Sequence, residues 1–268
     1  MSDGARTSAL GDGLCLAWGT LTALPGPAPS RVDLRVARVA MGAGWLVVLP
    51  VMLAAAAGGW GLSLLGVPPL ASGLVVIALV QLATKAIHAD GLADTADGLG
   101  SGRPRERALE IMRRGDVGPM GVTALILVLG LQAVLVGDLV SRPWGWVLAG
   151  FALATGRLAL AAACSTPVPS ARPEGLGAAV AGSVPTWLTT ALHLGVMLAG
   201  MALADVLATQ LGGDVPRHAW AWGLVIGTVL ASTTLGLAIR KLGGITGDVL
   251  GALVELMALG VLLGLAIR

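Results

Sequence analysis

Polar chemistry is scarce in this sequence. Charged residues make up 12% of its 268 positions and aromatic residues 3%, with no tyrosine and one phenylalanine, and cysteine occurs twice. Each shortage closes a class. Cys15 and Cys164 stand far apart in apolar surroundings, so neither a disulfide framework nor a thiolate metal pair is available, and both read as packing residues. A formal net charge of +2, with the basic residues dispersed, leaves no footprint for nucleic acid. The apolar runs do not alternate as the strands of a membrane barrel would. The first residues carry Asp3, Arg6 and Asp12 ahead of a short apolar patch, without the basic start and small-residue cleavage site of a signal peptide, which predicts no processing.

What is abundant is hydrocarbon. A hydrophobic content of 56% and a mean hydropathy of +0.86 exceed what a soluble core requires. Long runs of Leu, Ala, Val and Gly, with small residues where helices can pack closely, predict an all-α, polytopic integral membrane protein of about seven transmembrane helices. The spans fall at about 39–57, 70–87, 119–137, 146–164, 184–204, 218–239 and 247–267. Residues 1–38 form an N-terminal segment: 14–24 is too short to cross, suits an interfacial or re-entrant helix, and is stopped by the Pro25 to Pro29 cluster. Residues 39–268 form the transmembrane catalytic domain. Trp144, Trp146, Trp187, Trp220 and Trp222 lie near span ends and read as interfacial anchors. With the N-terminus inside, only Arg142, Arg217 and Arg268 of the 17 Lys and Arg residues fall outside, as the positive-inside rule requires of a bacterial inner-membrane protein.

Against that background one polar segment stands out. Residues 88–118 hold Asp90, Asp94, Asp97, Glu106, Glu110 and Asp116 together with Arg103, Arg105, Arg107, Arg113 and Arg114. On a helix, Asp94 and Asp97 lie about 40° and about 20° around the axis from Asp90, so the three carboxylates form one stripe. Like charges so placed repel and raise one another's pKa, a conflict that a divalent cation removes. Hard oxygen donors without Cys or clustered His favour Mg²⁺, which commonly takes one or two carboxylates plus phosphate oxygens. The alternative is a solvated acidic loop. His88, about 160° away on the same helix, is not a ligand of that stripe and reads as an interfacial or supporting residue. Pro104 predicts a helix over 103–114 with Glu110 and Arg114 paired at four-residue spacing, and Arg103, Arg105 and Arg107 on a solvated face.

A second constellation opens the last span. Gly243, Gly244 and Gly247 free the backbone there, and exposed N–H groups at a helix start favour phosphate. Asp248 and Glu255, seven apart, share a helical face that points into the membrane domain, where carboxylates are costly and usually functional. The structural alternative makes Gly247 and Gly251 a close-packing pair and Asp248 a helix cap. By themselves these residues predict a membrane enzyme that handles a phosphate or diphosphate with Mg²⁺ at the cytoplasmic face.

The run from His88 to Leu99, the Met112 to Gly121 stretch with Asp116 and Gly118, and the block from Gly243 to Ala252 resemble the signature blocks of the cobalamin synthase family, the adenosylcobinamide-GDP ribazoletransferases. The similarity extends over most of the chain, including the entry segment that ends at Pro25. Ala89 departs from it, where a larger apolar residue is expected, and the 205–218 connection matches nothing. The resemblance implies a Mg²⁺-dependent reaction in which α-ribazole or its 5′-phosphate attacks adenosylcobinamide-GDP, giving adenosylcobalamin or its 5′-phosphate and GMP. It places Asp90, Asp94 and Asp97 on the metal, and makes Asp116, Asp248 and His88 candidates for catalysis. Arg113, Arg114, Lys241, Gly243, Gly244, Thr246 and Glu255 would serve the substrate, and so bulky a corrinoid requires an open cavity. Partners are these two substrates and membrane lipid, and a homo-oligomer is compatible with the sequence.

Two other readings compete. A CDP-alcohol-type phosphotransferase would share the start Asp94-Thr95-Ala96-Asp97-Gly98, but Ser101-Gly102 stands where Ala-Arg is expected. An ion-coupled transporter would use its intramembrane carboxylates for H⁺ or Na⁺, yet no inverted repeat of the 88–100 block occurs.

Overall fold

The computed structural model describes residues 8–267, so Asp3, Arg6 and Arg268 lie outside the described residues. Twelve helices and no strand occur among them. The chain enters through α1 (Ala9–Leu21), where the Ser8 hydroxyl accepts from Gly11 N–H and an extended Thr22 ends the helix. The proline-rich connection then folds back onto α1. Buried Asp12 accepts from the backbone and hydroxyl of Ser30, and Trp18 Nε1 donates to Pro25 O.

Asp33 caps α2 (Leu34–Leu64) by accepting from Arg35 and Val36 N–H. Its 31 residues rise about 46 Å, more than hydrocarbon thickness, so its basic first turns extend beyond the apolar layer. The predicted second span divides. α3 (Pro69–Ala83) has 15 residues, about 22 Å of helix, which is too little to cross. Lys85 and Ala86 then take left-handed φ values of 54° and 53°, and α4 (Ile87–Gly100) leaves at 93° to α3. The acidic stripe therefore has its own helix, set off from α3 by that bend.

α5 (Arg105–Ile111) follows Pro104 and is shorter than the predicted 103–114 helix, though the Glu110–Arg114 pair forms at 3.5 Å. Spans α6 (Pro119–Val140), α7 with α8 (Gly145–Thr155 and Leu158–Ala163), α10 (Thr186–Leu211), α11 (Arg217–Leu242) and α12 (Gly247–Leu265) complete the bundle, with the short α9 (Leu176–Val180) between α8 and α10. Six helices are long and apolar enough to cross a membrane, or up to seven if the bent α3–α4 pair is one span. The chain is thus a multi-pass helical membrane protein.

α12 is its axis. It packs on α11, α4, α6, α7 and α8, and nearly all of its residues are buried. Trp220 is no interfacial anchor: it is fully buried, stacks on Phe151 and donates its indole N–H to Val196 O. Trp144, Trp187 and Trp222 are exposed as expected. Cys164 is buried, Cys15 is half-buried, and neither is bonded to the other.

Candidate active site

The first residue of the acidic helix to be positioned is His88. Buried Arg157 donates Nη1 to Leu153 O at 2.8 Å and directs Nη2 at His88 Nδ1 across 3.3 Å. A guanidinium has no acceptor, so Nδ1 accepts and the ring proton resides on Nε2. His88 therefore offers the site a donor, and the lone pair of Nδ1 is not open to act as a base. Arg157 itself was counted among the cytoplasmic basic residues by sequence, but it is wholly buried within the bundle.

The three carboxylates of the stripe part company. Asp90 is exposed and Asp94 half-buried, and neither side chain accepts a hydrogen bond from a described residue. Asp97 is buried, with one oxygen accepting from Gly118 N–H at 2.6 Å and the other from Gly121 N–H at 2.9 Å. It performs from α4 the capping that Gly118, lacking a side chain, cannot supply to α6, and its charge faces the positive end of that helix.

Asp248, in the first turn of α12, joins Asp90 and Asp94 instead. α4 and α12 cross so closely that a Cβ on Gly91 would fall 2.5 Å from Asp248 O, and one on Gly251 3.1 Å from His88 Cα. Gly251 therefore packs as expected, whereas Gly247 meets only the side chain of Leu176. Burial pushes the Asp94 carboxyl up to about 6, and the neighbouring charges of Asp90, Asp248 and Asp97 add to it, against the opposing pull of Arg172. Asp90 and Asp248 line a cavity of about 290 Å³ between α1, α2, α4, α8, α9 and α12, whose wall is otherwise mostly apolar, with Met41, Leu160 and Leu250 beside the polar Thr20 and His88. A larger groove, about 470 Å³, lies between α10 and α11 around His193 and Thr228, but it carries none of these carboxylates.

Among the described residues no group of three or more His, Cys, Asp or Glu is close enough to hold a metal ion as placed. The donor chemistry fits Mg²⁺ in its sparser form, one or two free carboxylates completed by phosphate oxygens and water, because Asp90 and Asp94 are unengaged hard donors one turn apart. It does not fit Asp97 as a third ligand without loss of the α6 cap.

The glycine block before α12 is bound into a second layer of loops. Gly243 closes α11 with its N–H on Ile239 O. Gly244, at φ 150°, passes so near Pro169 that a Cβ would lie 2.2 Å from its carbonyl oxygen. Ile245 then exchanges backbone bonds with Pro169 and Ala171. Thr246 accepts from Val249 N–H as the α12 cap and donates to Asp248 Oδ2 at 3.1 Å. The amides of Gly243, Ile245 and Val249 are in this way committed to the fold.

The remaining expected residues scatter. Lys241 Nζ donates to Leu99 O, Arg114 pairs with Glu110, and Arg113 and Asp116 are exposed and pair with no described residue. Glu255 lies about two turns deeper along α12, where Gln132 donates to it at 2.9 Å and Gln81 at 3.4 Å. It does not share the cavity of Asp248.

Arg105 is exposed, as expected, yet its guanidinium also donates to Leu242 O and Ala171 O, both at 2.7 Å, and so joins α5, α11 and the 165–175 segment. Arg172, which no motif marked, faces Asp248 at 3.8 Å. A lone arginine in an apolar span could have flagged Arg157; nothing in Ala171-Arg172-Pro173 distinguishes Arg172 from any loop cation.

Comparison with known proteins gives one answer. The family model described as cobalamin-5-phosphate synthase matches residues 13–266. The chain is 39% identical over 250 residues to the adenosylcobinamide-GDP ribazoletransferase of Nocardioides sp., covering 93% of this chain and 96% of that protein. Its identity is 36% to the protein of the same name from Frankia casuarinae, with 93% and 92% covered, and 36% to that from Chlorobium phaeobacteroides, with 90% and 91% covered. No solved structure matches it. With the family model spanning α1 to α12 and these relatives aligned along nearly the whole chain, the protein belongs to the cobalamin-5-phosphate synthase family.

Proposed function

We propose that this membrane protein joins α-ribazole or α-ribazole 5′-phosphate to adenosylcobinamide-GDP, releasing GMP and giving adenosylcobalamin or its 5′-phosphate. One observation carries the reading: carboxylates from two separate helices, Asp90 on α4 and Asp248 on α12, line one cavity, with Asp94 one turn from Asp90 feeling both charges and Arg172, 3.8 Å from Asp248, opposing them. Such a cluster suits a substrate that arrives as a metal diphosphate.

In this mechanism Asp90 and Asp94 hold Mg²⁺. Bound there, the ion supplies neutralisation of the charge that develops on the diphosphate. The chain's own residues do the rest. The attacking ribose hydroxyl loses its proton to a carboxylate as its oxygen forms a bond to the cobinamide-bearing phosphorus, and the phosphorus–oxygen bond to GMP breaks with its electron pair. Asp248, held at the cavity by the Thr246 hydroxyl, is better placed as that acceptor than exposed Asp116. His88 donates from Nε2, and the apolar wall beside it limits water. A cavity of about 290 Å³ cannot enclose a corrinoid, so the ring rests outside while the diphosphate enters.

The same reading puts the acidic face of α4 in the cytoplasm of a bacterial cell, across the inner membrane from Arg142 and Arg217. Purified protein with Mg²⁺, α-ribazole and adenosylcobinamide-GDP should release GMP and a cobamide in equal amounts. Cobamide formation that persists unchanged with chelator, or its absence from protein that unfolds cooperatively in detergent, would overturn the proposal.

A further inference from the structure

Arg172 has the environment of a cation waiting for an anion. The backbone around it is fixed: Ala171 N–H donates to Ile245 O, and Ser170 Oγ donates to Arg172 O at 2.7 Å. One arm of the guanidinium is spent, with Nη2 donating to Leu109 O at 2.9 Å. Nε is buried and has no partner, and Nη1 stops 3.8 Å from Asp248 Oδ2, beyond hydrogen-bond length. A half-buried arginine whose Nε is buried without an acceptor and whose ion pair is unclosed is costly unless something completes it. Its electrostatic neighbours say what. Asp94 and Asp248 attract it, while Arg113, exposed and unpaired, repels it. Two arginines that repel each other beside a cluster of mutually repelling carboxylates define two half-sites of opposite sign. A metal-bound diphosphate satisfies both together, its cation toward the acids and its oxygens toward the arginines.

We propose that Arg172, with Arg113 as second arm, is the residue that receives the phosphate oxygens of the nucleotide-activated substrate, and that this exchange releases Asp248 from Arg172. The free Asp248 carboxylate is then able to take the proton of the attacking hydroxyl. Arg114 and Lys241 are set aside by their own partners, Glu110 and Leu99 O. This assignment rests on the phosphotransfer reading above.

The test uses the full-length protein in detergent, with GMP as the probe and Arg172→Ala, Arg172→Lys and Arg113→Ala as variants. Arg172→Ala should weaken GMP inhibition and raise KM for adenosylcobinamide-GDP by about 10- to 100-fold, the range of a charge-assisted hydrogen bond. KM for α-ribazole should stay within about twofold of wild type. Millimolar guanidinium should restore part of the GMP affinity of Arg172→Ala, and Arg172→Lys should fall between it and wild type. A merely structural arginine predicts a lowered melting temperature with GMP inhibition unchanged, and that result overturns the assignment. If Arg172→Ala does not survive purification, Arg172→Gln, which keeps the stem as far as Cδ and a donor near the position of Nε, must show the same loss of GMP affinity. Wild-type protein that makes no cobamide refutes the reaction itself; wild-type turnover with an unaltered Arg172→Ala refutes only Arg172.

Discussion

Replacing Asp94 and Asp97 one at a time by asparagine should move stability in opposite directions, although the two residues are three apart on one helix and look equivalent in sequence. Asp97 accepts two backbone N–H groups at the start of α6 from a buried position. An amide keeps one accepting oxygen and turns an NH₂ toward the other donor, so Asp97→Asn loses one charge-assisted bond, about 1.5–3 kcal/mol. It also loses the attraction to the α6 dipole, about 0.3–1 kcal/mol. The total is a destabilisation of about 2–4 kcal/mol. Asp94 is the reverse case. Its carboxyl is pushed up to about 6 by burial and by its acidic neighbours, which at face value opposes the charged form by about 3 kcal/mol at neutral pH. Because the side chain is only half-buried, solvent screening reduces this to about 1 kcal/mol, so Asp94→Asn should stabilise the cation-free protein slightly.

Thermal unfolding in detergent, followed by tryptophan fluorescence with and without Mg²⁺, separates the two. Asp94→Asn should melt no lower than wild type, gain nothing from Mg²⁺ and turn over at least 100-fold more slowly, whereas Asp97→Asn should melt lower yet keep its Mg²⁺ response. If Asp97→Asn loses the Mg²⁺ response while melting like wild type, Asp97 is a ligand and the division of the stripe is wrong.

Three further outcomes follow from the same geometry. In chelator, the protein should be more stable near pH 5 than above pH 7: the folded-state pKa of Asp94 is raised to about 6 from 3.8, so the folded chain binds its proton more tightly, and that stability is lost as pH rises through about 6. Mg²⁺ should flatten the profile, and a melting temperature that rises steadily from pH 5 to pH 7.5 in chelator contradicts this. For His88, glutamine places an N–H near the position of Nε2 and asparagine near that of Nδ1, so His88→Gln should retain more kcat than His88→Asn; equal loss in both would remove the donor role. Glu255, held by Gln132 and Gln81, should act through stability: Glu255→Ala takes the acceptor of the Gln81 amide and leaves Gln132 only the backbone oxygen of residue 255, about 1–3 kcal/mol, while KM for both substrates in the folded fraction stays unchanged.

The helices were legible because hydrocarbon thickness and the 3.6-residue repeat act locally. Each predicted span from 119 onward falls on an observed span, though 146–164 is broken into α7 and α8 and α10 runs on to Leu211, and α2 runs past its predicted 39–57 at both ends. The second span was misread at its end, since Lys85 and Ala86 carry no turn signature yet take left-handed backbone. What bends the chain there is the demand of the bundle that α4 lie across α12, which no local pattern records. The site shows the same limit. Periodicity put Asp90, Asp94 and Asp97 on one face, but the face says nothing of what stands opposite, and the start of α6, lacking a cap of its own, draws Asp97 away. The seven-residue spacing of Asp248 and Glu255 was equally sound as geometry, yet one residue meets the cavity and the other meets two glutamines from α3 and α6. Arg105 is the surface charge it reads as, but its bridging role has no local sign, because the carbonyls it joins come from positions 137 and 66 residues away.

These departures share a cause that bears on function. A chain that folded only for stability would not press Gly91 against the backbone of Asp248, because that contact brings Asp90 and Asp94 to Asp248 and leaves their charges opposed. The surrounding bonds all serve to keep them there: Thr246 fixes the start of α12, Asp97 ties α4 to α6, and Arg157 fixes His88 beneath the cavity. Without a ligand the arrangement stores repulsion, and under the proposed mechanism a cation with its diphosphate would remove it on arrival, so that part of the binding free energy would be set by the fold before any substrate contact forms. Loosening the α4–α12 crossing would therefore relax the carboxylates and weaken the site at once. Stability gained there would come at the expense of affinity for the metal diphosphate.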